Sequence, residues 1–406
     1  MKKKKHSPEQ IVRKLRKADH LRAEGKTVAV VVAELGISQP TYNRWRNQYG
    51  AMTVGEVPIS MMRKAKNLTR REALSLAGSG MTGLAFSGWA GLGRTQTLER
   101  IDIHHHWHPP PIEDAFGGLS IGASWPGGGW TVDRALSLLD RFGIQTGMLS
   151  VRNPRERISV QLCREVNELA ARLVGDYPDR FGAFAMLPQF EPNAVAEEAI
   201  YALDDLGLDG IALNGSVDNV YLGSPELDSL MAVLNERSGV VLIHPTSPFY
   251  FNDLNLGIRP SVMEYVFETT RAIMNLVVSG TLERYSNIRF VAAHAGGTVP
   301  YIAARLSDQG ERFIPNLQER APQGVLSYLR RFYFGTAQAI SSYSLNALLD
   351  FVDVSQLLFG TDLPISPAAL ITDSDTIMRN FAGLADNDLQ RIERGNALEL
   401  FSRLRG

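Results

Sequence analysis

From residue 100 onward, short apolar runs alternate with segments whose apolar positions recur at helical spacing. The strand-like runs are 101–103, 146–151, 181–187, 210–213, 240–243, 288–293, 332–334 and 357–359. Helical patterns lie between them, at 158–174, 192–206, 226–236, 262–283, 298–307, 342–351 and 367–381, and a last one over 386–404 closes the chain. Eight strands alternating with helices over about 300 residues predict an α/β fold, a (β/α)8 barrel of the TIM type. A doubly wound open sheet is the other arrangement with this pattern. No Gly-x-Gly-x-x-Gly follows a strand, so the sequence carries no dinucleotide-binding fingerprint.

The first fifty residues follow a different pattern. Ser7-Pro8-Glu9-Gln10 reads as a capping box with proline at the first helical position, and it opens a helix to about Glu24. Gly25-Lys26 ends that helix, and a second runs from Thr27 to Leu35, with Val28, Val31, Val32 and Leu35 at helical spacing. Gly36-Ile37-Ser38 then turns the chain into a third helix, residues 39–49. Helix, short glycine-containing turn, helix is the pattern of a helix-turn-helix, whose second helix enters the major groove of DNA. Tyr42, Asn43, Arg44 and Arg46 are the expected nucleic-acid contacts, and Trp45 is expected to pack inward.

Charge sharpens this division. The net charge of -1 combines 42 basic with 43 acidic residues. Residues 1–50 hold twelve of the basic and four of the acidic side chains, about +8, which leaves about -9 for the remainder. A basic head on an acidic body implies two parts with different partners, and the lysines at positions 2 to 5 add attraction for phosphate. The stretch from Lys2 to Gly50 resembles the small DNA-binding subunit of insertion-sequence transposases, which implies a DNA-binding module by descent. An idle folded remnant is equally compatible with it.

Residues 51–99 form a seam. A basic stretch with the twin arginines Arg70-Arg71 precedes a mild, glycine-rich apolar run from Ala73 to Leu92 and resembles a twin-arginine export signal. Such signals belong at an N-terminus. The expectation is therefore a fusion, with Met61 or Met62 the start of an exported enzyme. The enzyme is periplasmic if that internal start operates and cytoplasmic otherwise. Apolar content of 44% and charged content of 21% are those of a soluble globular protein. No run of about eighteen strongly apolar residues predicts a membrane span. The single cysteine, Cys163, excludes an internal disulfide framework and a cysteine-rich zinc site.

The chemistry concentrates in the body. Arg100-Ile101-Asp102-Ile103-His104-His105-His106-Trp107-His108-Pro109-Pro110 reads as a strand running into a histidine cluster and stopped by prolines. Side chains alternate along a strand, so His104 and His106 point one way and His105 the other. Two imidazoles on one side of a strand end make half a metal site. His244 in VVLIHPTSP, His294 in IRFVAAHAGG and Asp362 in LLFGTDLP each follow a predicted strand. Singly, His244 reads equally as a core histidine and Asp362 as a turn former. Jointly, the first, fifth, sixth and eighth strands deliver ligand-type residues to one rim, the face where barrel enzymes keep their catalytic groups.

These segments, with YLGSPELDSLMAVLNERSGVVLIHPTSP, ETTRAIMNLVVSGTLERYSNIRFVAAHAGGTVPYIAARL and the terminal GNALELF, resemble the metal-dependent amidohydrolase superfamily. The likeness is to its decarboxylase branch, which includes 6-methylsalicylate decarboxylase and aminocarboxymuconate-semialdehyde decarboxylase, and it spans essentially all of 100–406. The resemblance implies His104, His106, His244 and Asp362 as metal ligands and His294 as a nearby acid/base. It implies Arg305 as an arginine supplied by the adjacent subunit of a homodimer to clamp a substrate carboxylate. Neutral imidazoles with one carboxylate suit Zn²⁺, with Mn²⁺ as an alternative, and no organic cofactor is required. Arg271 is a weaker substrate-binding candidate. Gly335 stands where the branch commonly has an aspartate, which puts support for a ligating histidine in question.

The expected activity is a metal-dependent, non-oxidative decarboxylation of a small aromatic or unsaturated carboxylic acid, with Asp362 or His294 protonating the carbon that loses CO2. A lactone, ester or amide hydrolase of the same superfamily would use the same rim. A DNA-binding regulator with a barrel sensor domain is the reading from a different class.

Overall fold

A computed structural model of the chain describes residues 26–42, 99–116, 130–152, 158–251 and 257–405, together with Lys14, Leu15, Lys17, Ala18, Leu21 and Trp45. The chain divides into two compact units, residues 1–94 and 95–406.

In the first unit the helix Val28–Leu35 forms where its valine spacing predicts. It ends at Gly36, whose φ of 64° returns the backbone N–H to the carbonyls of Ala33 and Val32. Leu15, Ala18, Leu21, Val31, Val32, Leu35, Tyr42 and Trp45 make one buried cluster. Trp45 packs inward as expected. Tyr42, expected among the nucleic-acid contacts, is 7% exposed and packs in this cluster. A unit this small has few apolar side chains with which to close a core, so the large ring is drawn inside. Asn43, Arg44, Arg46, the twin-arginine stretch and the loop 117–129 lie outside the described residues.

The second unit is a closed parallel barrel. Its strands are β1 (Arg100–Trp107), β2 (Ile144–Val151), β3 (Phe181–Met186), β4 (Gly210–Asn214), β5 (Val240–His244), β6 (Arg289–Ala292), β7 (Tyr333–Gly335) and β8 (Leu357–Leu358). They pair in sequence order, each parallel to the next. Past the end of β8 the chain closes onto β1. Ile103 N–H donates to Phe359 O at 3.0 Å, Asp362 N–H to His104 O at 2.9 Å, and His106 N–H to Leu363 O at 2.7 Å. The helices that follow the strands include α1 (Val132–Arg141), α2 (Val160–Asp176), α3 (Pro192–Ile200), α4 (Asp228–Glu236), α5 (Glu264–Val278), α6 (Val299–Phe313), α7 (Ser342–Phe351) and α8 (Ala368–Arg379). Local chemistry starts several of them: Ser159 accepts from Leu162 N–H ahead of α2, and Ser341 and Ser344 cap reciprocally ahead of α7. Beyond α3 the predicted helix continues as one π-helical turn, Tyr201–Asp205.

Two apolar layers hold the barrel. One packs the helices on the strands; the other, with Ile101, Ile103, Met148, Phe184, Leu242, Val291 and Leu358, fills the interior and is floored by Leu400 and Phe401. Phe401 meets Phe184 edge-on at 5.8 Å. The terminal segment Gly395–Phe401, which carries the GNALELF motif, therefore plugs the end of the barrel opposite the histidines.

β1 is longer than its apolar core predicts, because the histidines remain in the strand. Its pairing with β2 slips between Asp102 and His105, where one extra residue is accommodated. Strict alternation would oppose Ile103 to His104. The bulge lets Ile101 and Ile103 fill the interior while His104 and His106 also face inward. His105 points outward, its ring 3.3 Å from where a side chain on Gly147 would begin.

The foot of β1 is anchored by charge. The Arg100 side chain, 6% exposed, is 2.7 Å from both Asp375 of α8 and Glu393, and it stacks 4.9 Å from the Phe359 ring. Removing the cation strands the partly buried Asp375 and leaves Glu393 with Arg379 alone. Arg100→Met is expected to lower stability by about 2–4 kcal/mol, read as a lowered urea midpoint of the barrel; an unchanged midpoint would deny the anchor its role.

Candidate metal centre

Four donor atoms, one each from His104, His106, His244 and Asp362, lie within 4.8 Å of one another, and all four residues are buried. They come from β1, the end of β5 and the turn after β8. His104 Nε2 and His106 Nε2 are 3.1 Å apart, and Asp362 Oδ1 is 3.2 Å from the first and 3.0 Å from the second. Bonds of 2.0–2.2 Å to a tetrahedral ion set donors roughly 3.3–3.5 Å apart, so this spacing fits one divalent cation held in common.

The tautomers are prepared for it. His244 Nδ1 lies 2.8 Å from Pro245 O, a carbonyl that can only accept, so Nδ1 carries the proton and Nε2 keeps its lone pair. His106 Nδ1 is likewise 3.2 Å from the carbonyl and the hydroxyl of Ser150. His104 differs: its buried Nδ1 has no hydrogen-bond partner. The position that commonly bears an aspartate is Gly335 on β7, where an added side chain would begin 3.2 Å from Ile103 Cδ1. Two of the three histidines are thus oriented by the protein, and His104 is placed by its strand alone.

Electrostatics favours the ligating forms. Burial, then the neighbouring imidazoles, push His244 well below the ordinary histidine range. Burial lowers His106 as well, against the opposing pull of Asp362. For Asp362 burial acts to raise the carboxyl, but the close His104 and His106 rings outweigh it and hold the group well below the carboxylate range. Three neutral imidazoles and one ionised carboxylate are the form in which these side chains bind a metal. Asp362 Oδ2 also accepts from Gln338 Nε2, which reaches Ser366 Oγ at 2.9 Å.

His294 completes the rim, its ring centroid 5.0 Å from that of His104 and 5.6 Å from that of His244. Burial, then the nearby His104, lower it to about 3, and its Nδ1 has no protein partner. The backbone there is unusual. His294, Ala295, Gly296 and Gly297 all have positive φ, from 52° to 71°, and Asp362 has 60°. A side chain on Gly297 would begin 2.0 Å from Val266 O of α5, so only glycine fits where α5 crosses the turn.

The remaining predicted residues lie apart. Arg305 is exposed on α6. Arg271 on α5 is 3.5 Å from the fully buried Glu268 and stacks 5.4 Å from the Tyr250 ring. Its charge is committed to Glu268, which also accepts from Ser216 and, at 2.8 Å, from Tyr221. Those two residues belong to a small hairpin after β4 (Ser216–Val217 with Val220–Tyr221), so the buried carboxylate ties the hairpin to α5. His105 Nδ1 faces Asp102 at 3.4 Å, and Asp102 also accepts from Thr361 N–H at 3.0 Å. Asp102 thus braces β1 against the turn that carries Asp362. Sequence reading passed over Ser150, Gln338 and Asp102. Ser150 was open to the strand-end rule; Gln338, after a short strand and with no repeat or motif around it, was not.

The amidohydrolase family model matches residues 101–403. The 6-methylsalicylic acid decarboxylase of Penicillium expansum is 32% identical over 322 residues, covering 76% of this chain and 98% of the relative. A gamma-resorcylate decarboxylase of Rhizobium sp. (strain MTP-10005) is 25% identical over 287 residues, 66% of this chain and 86% of that one. Among solved structures, a dihydroxybenzoic acid decarboxylase from Polaromonas sp. JS666, with bound manganese and the inhibitor 2-nitroresorcinol, superposes with a TM-score of 0.67 at 22% identity. That superposition covers 76% of this chain and 98% of the other. From strand order to donor set to sequence, the barrel and its rim place this chain in the amidohydrolase family.

Proposed function

We propose that this chain is a metal-dependent, non-oxidative decarboxylase of a small aromatic hydroxy acid of the 6-methylsalicylate type. The observation that carries the reading is the buried convergence of His104, His106, His244 and Asp362 beside His294, on a barrel whose relatives over nearly their full length are aromatic acid decarboxylases. The four donors would hold one divalent ion, Zn²⁺ by donor type, with Mn²⁺ favoured by the manganese in the solved neighbour. When bound, that ion supplies the positive charge that polarises the substrate's carboxylate and neighbouring hydroxyl.

The chain's own groups manage the proton. Decarboxylation breaks the ring carbon–carboxylate bond; its electron pair stays on the ring carbon, CO2 leaves, and one proton must arrive. Asp362 starts ionised and must first take up a proton before it can deliver one. His294, neutral and with Nδ1 free of protein partners, is the group through which that proton reaches Asp362 or the ring. The apolar interior beneath the donors leaves the mouth of the barrel as the way in for water. A lactone or amide hydrolase is the second reading, favoured by the family match itself.

Arg305 and Tyr301 stand one turn apart on the outer side of α6, and Tyr301 is 86% exposed. Phe313 of α6 and Tyr343 of α7 are also exposed, at 68% and 85%, and the outer side of α6 is the face assigned to a second copy of the chain, which would receive Arg305 at its own rim.

Purified protein supplied with hydroxybenzoates is expected to release CO2 and retain the ring. Uptake of water by lactones without CO2 would replace this reading with the hydrolase. In the same assay His104→Ala and Asp362→Ala should each lose bound metal by elemental analysis and lower turnover by more than about 100-fold; full metal in both variants would move the site elsewhere. If Arg305 serves the neighbouring subunit, co-expressing Arg305→Ala with Asp362→Ala rebuilds one intact site per mixed dimer. About a quarter of wild-type activity should then return, where either variant alone is inactive. No recovery would place Arg305 outside the partner's site.

A further inference from the structure

Arg152 is a charged side chain at the mouth of the barrel that neither the fold nor the metal donors use. Along β2, Met148 packs in the barrel interior, and two residues on Ser150 holds His106 Nδ1 at 3.2 Å. Arg152 is the first residue past the end of β2, and its contacts place it at the mouth. Its Nη2 donates to Tyr265 Oη, and the guanidinium lies 5.7 Å from the Tyr265 ring. Tyr265, a buried residue in the first turn of α5, stands edge-on to His244 at 6.5 Å. Arg152 is also close enough to the donors that its charge disfavours protonation of His106.

Arg100 has Asp375 and Glu393, Arg180 has Asp140, Arg237 has Asp204, and Arg403 has Asp209. Arg289, Arg330 and Arg331 lack an acid but donate to backbone carbonyls at the outside of the barrel, whereas Arg152 has neither an acid nor a carbonyl among the described residues. Among the described residues Arg152 faces only a neutral phenol. A guanidinium braced on one nitrogen, with donors to spare, at the entrance to a buried site is arranged to receive an anion from outside.

We propose that Arg152 is a substrate-binding residue that receives the carboxylate of the aromatic acid, with Tyr265 as the positioning residue that holds the guanidinium over the metal donors. The inference rests on the decarboxylase reading and deepens it. A ring hydroxyl is neutral near pH 7 and offers one weak acceptor, whereas a carboxylate offers two charged oxygens, enough for Arg152 and for an arginine from a partner subunit. Because Arg152 belongs to the same chain as the donors, its role does not depend on the dimer. The reaction destroys the anion that Arg152 holds, so this contact separates substrate from product and weakens as CO2 leaves.

The test compares 6-methylsalicylate with its decarboxylated product, 3-methylphenol, on metal-loaded wild type, Arg152→Gln, Arg152→Lys and Tyr265→Phe. Arg152→Gln should raise KM and the calorimetric Kd for the acid roughly ten- to hundredfold, with metal content unchanged and the Kd of 3-methylphenol within about twofold of wild type. Arg152→Lys should recover part of the loss, which a misfolded variant would not. Tyr265→Phe should raise KM several-fold and leave kcat in place. Equal loss for acid and phenol, or no loss for either, overturns the assignment. If wild type itself neither binds nor decarboxylates any hydroxybenzoate, the decarboxylase reading fails and takes this inference with it, an outcome distinct from a competent wild type that Arg152→Gln leaves unaltered.

Discussion

Three imidazoles and one carboxylate are made to converge on a single buried point, with donor atoms within 4.8 Å of one another. Left bare, their lone pairs repel and their burial is costly. The surroundings answer each part of that constraint. Carbonyls of Ser150 and Pro245 fix two tautomers, burial favours the neutral forms of His106 and His244, and the imidazole rings beside Asp362 hold its carboxyl low. The left-handed backbone at His294 and Asp362 costs on the order of 1–3 kcal/mol each and is held in place by packing such as the contact of Gly297 with α5.

Closing the barrel and assembling the site are one event. The hydrogen bonds that join the end of the last strand to β1 run from Asp362 N–H to His104 O and from His106 N–H to Leu363 O. Barrel closure therefore carries the carboxylate to the two histidines without a separate device. Asp102 strengthens the same seam by accepting from the backbone of both His104 and Thr361. The apolar interior below, floored by Phe401, gives the seam a rigid base, and the charge cluster around Arg100 pins the start of β1. Precision at the rim is thus inherited from packing well below it.

The charge pattern of the rim has a direction. The donors contribute one negative charge, balanced by a divalent ion with one positive charge to spare, and Arg152 adds another at the mouth. Buried acids elsewhere are tied up: Glu268 anchors the hairpin after β4, and Glu198 pairs with Arg164. An anionic small molecule therefore meets attraction at the entrance and again at the centre, which agrees with the chemistry of an aromatic carboxylate.

Much of this was legible in the chain itself. Alternating apolar runs and helical patterns determined the order and number of the eight strands, because burial on both faces leaves a continuous apolar signature that solvent-facing segments lack. Residue type and strand-end position singled out His104, His106, His244, His294 and Asp362, because every parallel strand of a barrel ends on the same face. Alternation also separated His105 from its neighbours. What only the tertiary structure decided depends on pairing between distant segments. The bulge in β1 comes from its register with β2, and the left-handed turns at His294 and Asp362 are held by the elements that cross them. The inward place of Tyr42, the commitment of Arg271 to Glu268 and the partnership of Arg152 with Tyr265 were likewise beyond local reading. A local pattern states what a residue can do, while its partner, often a hundred residues away, is chosen by the closed fold.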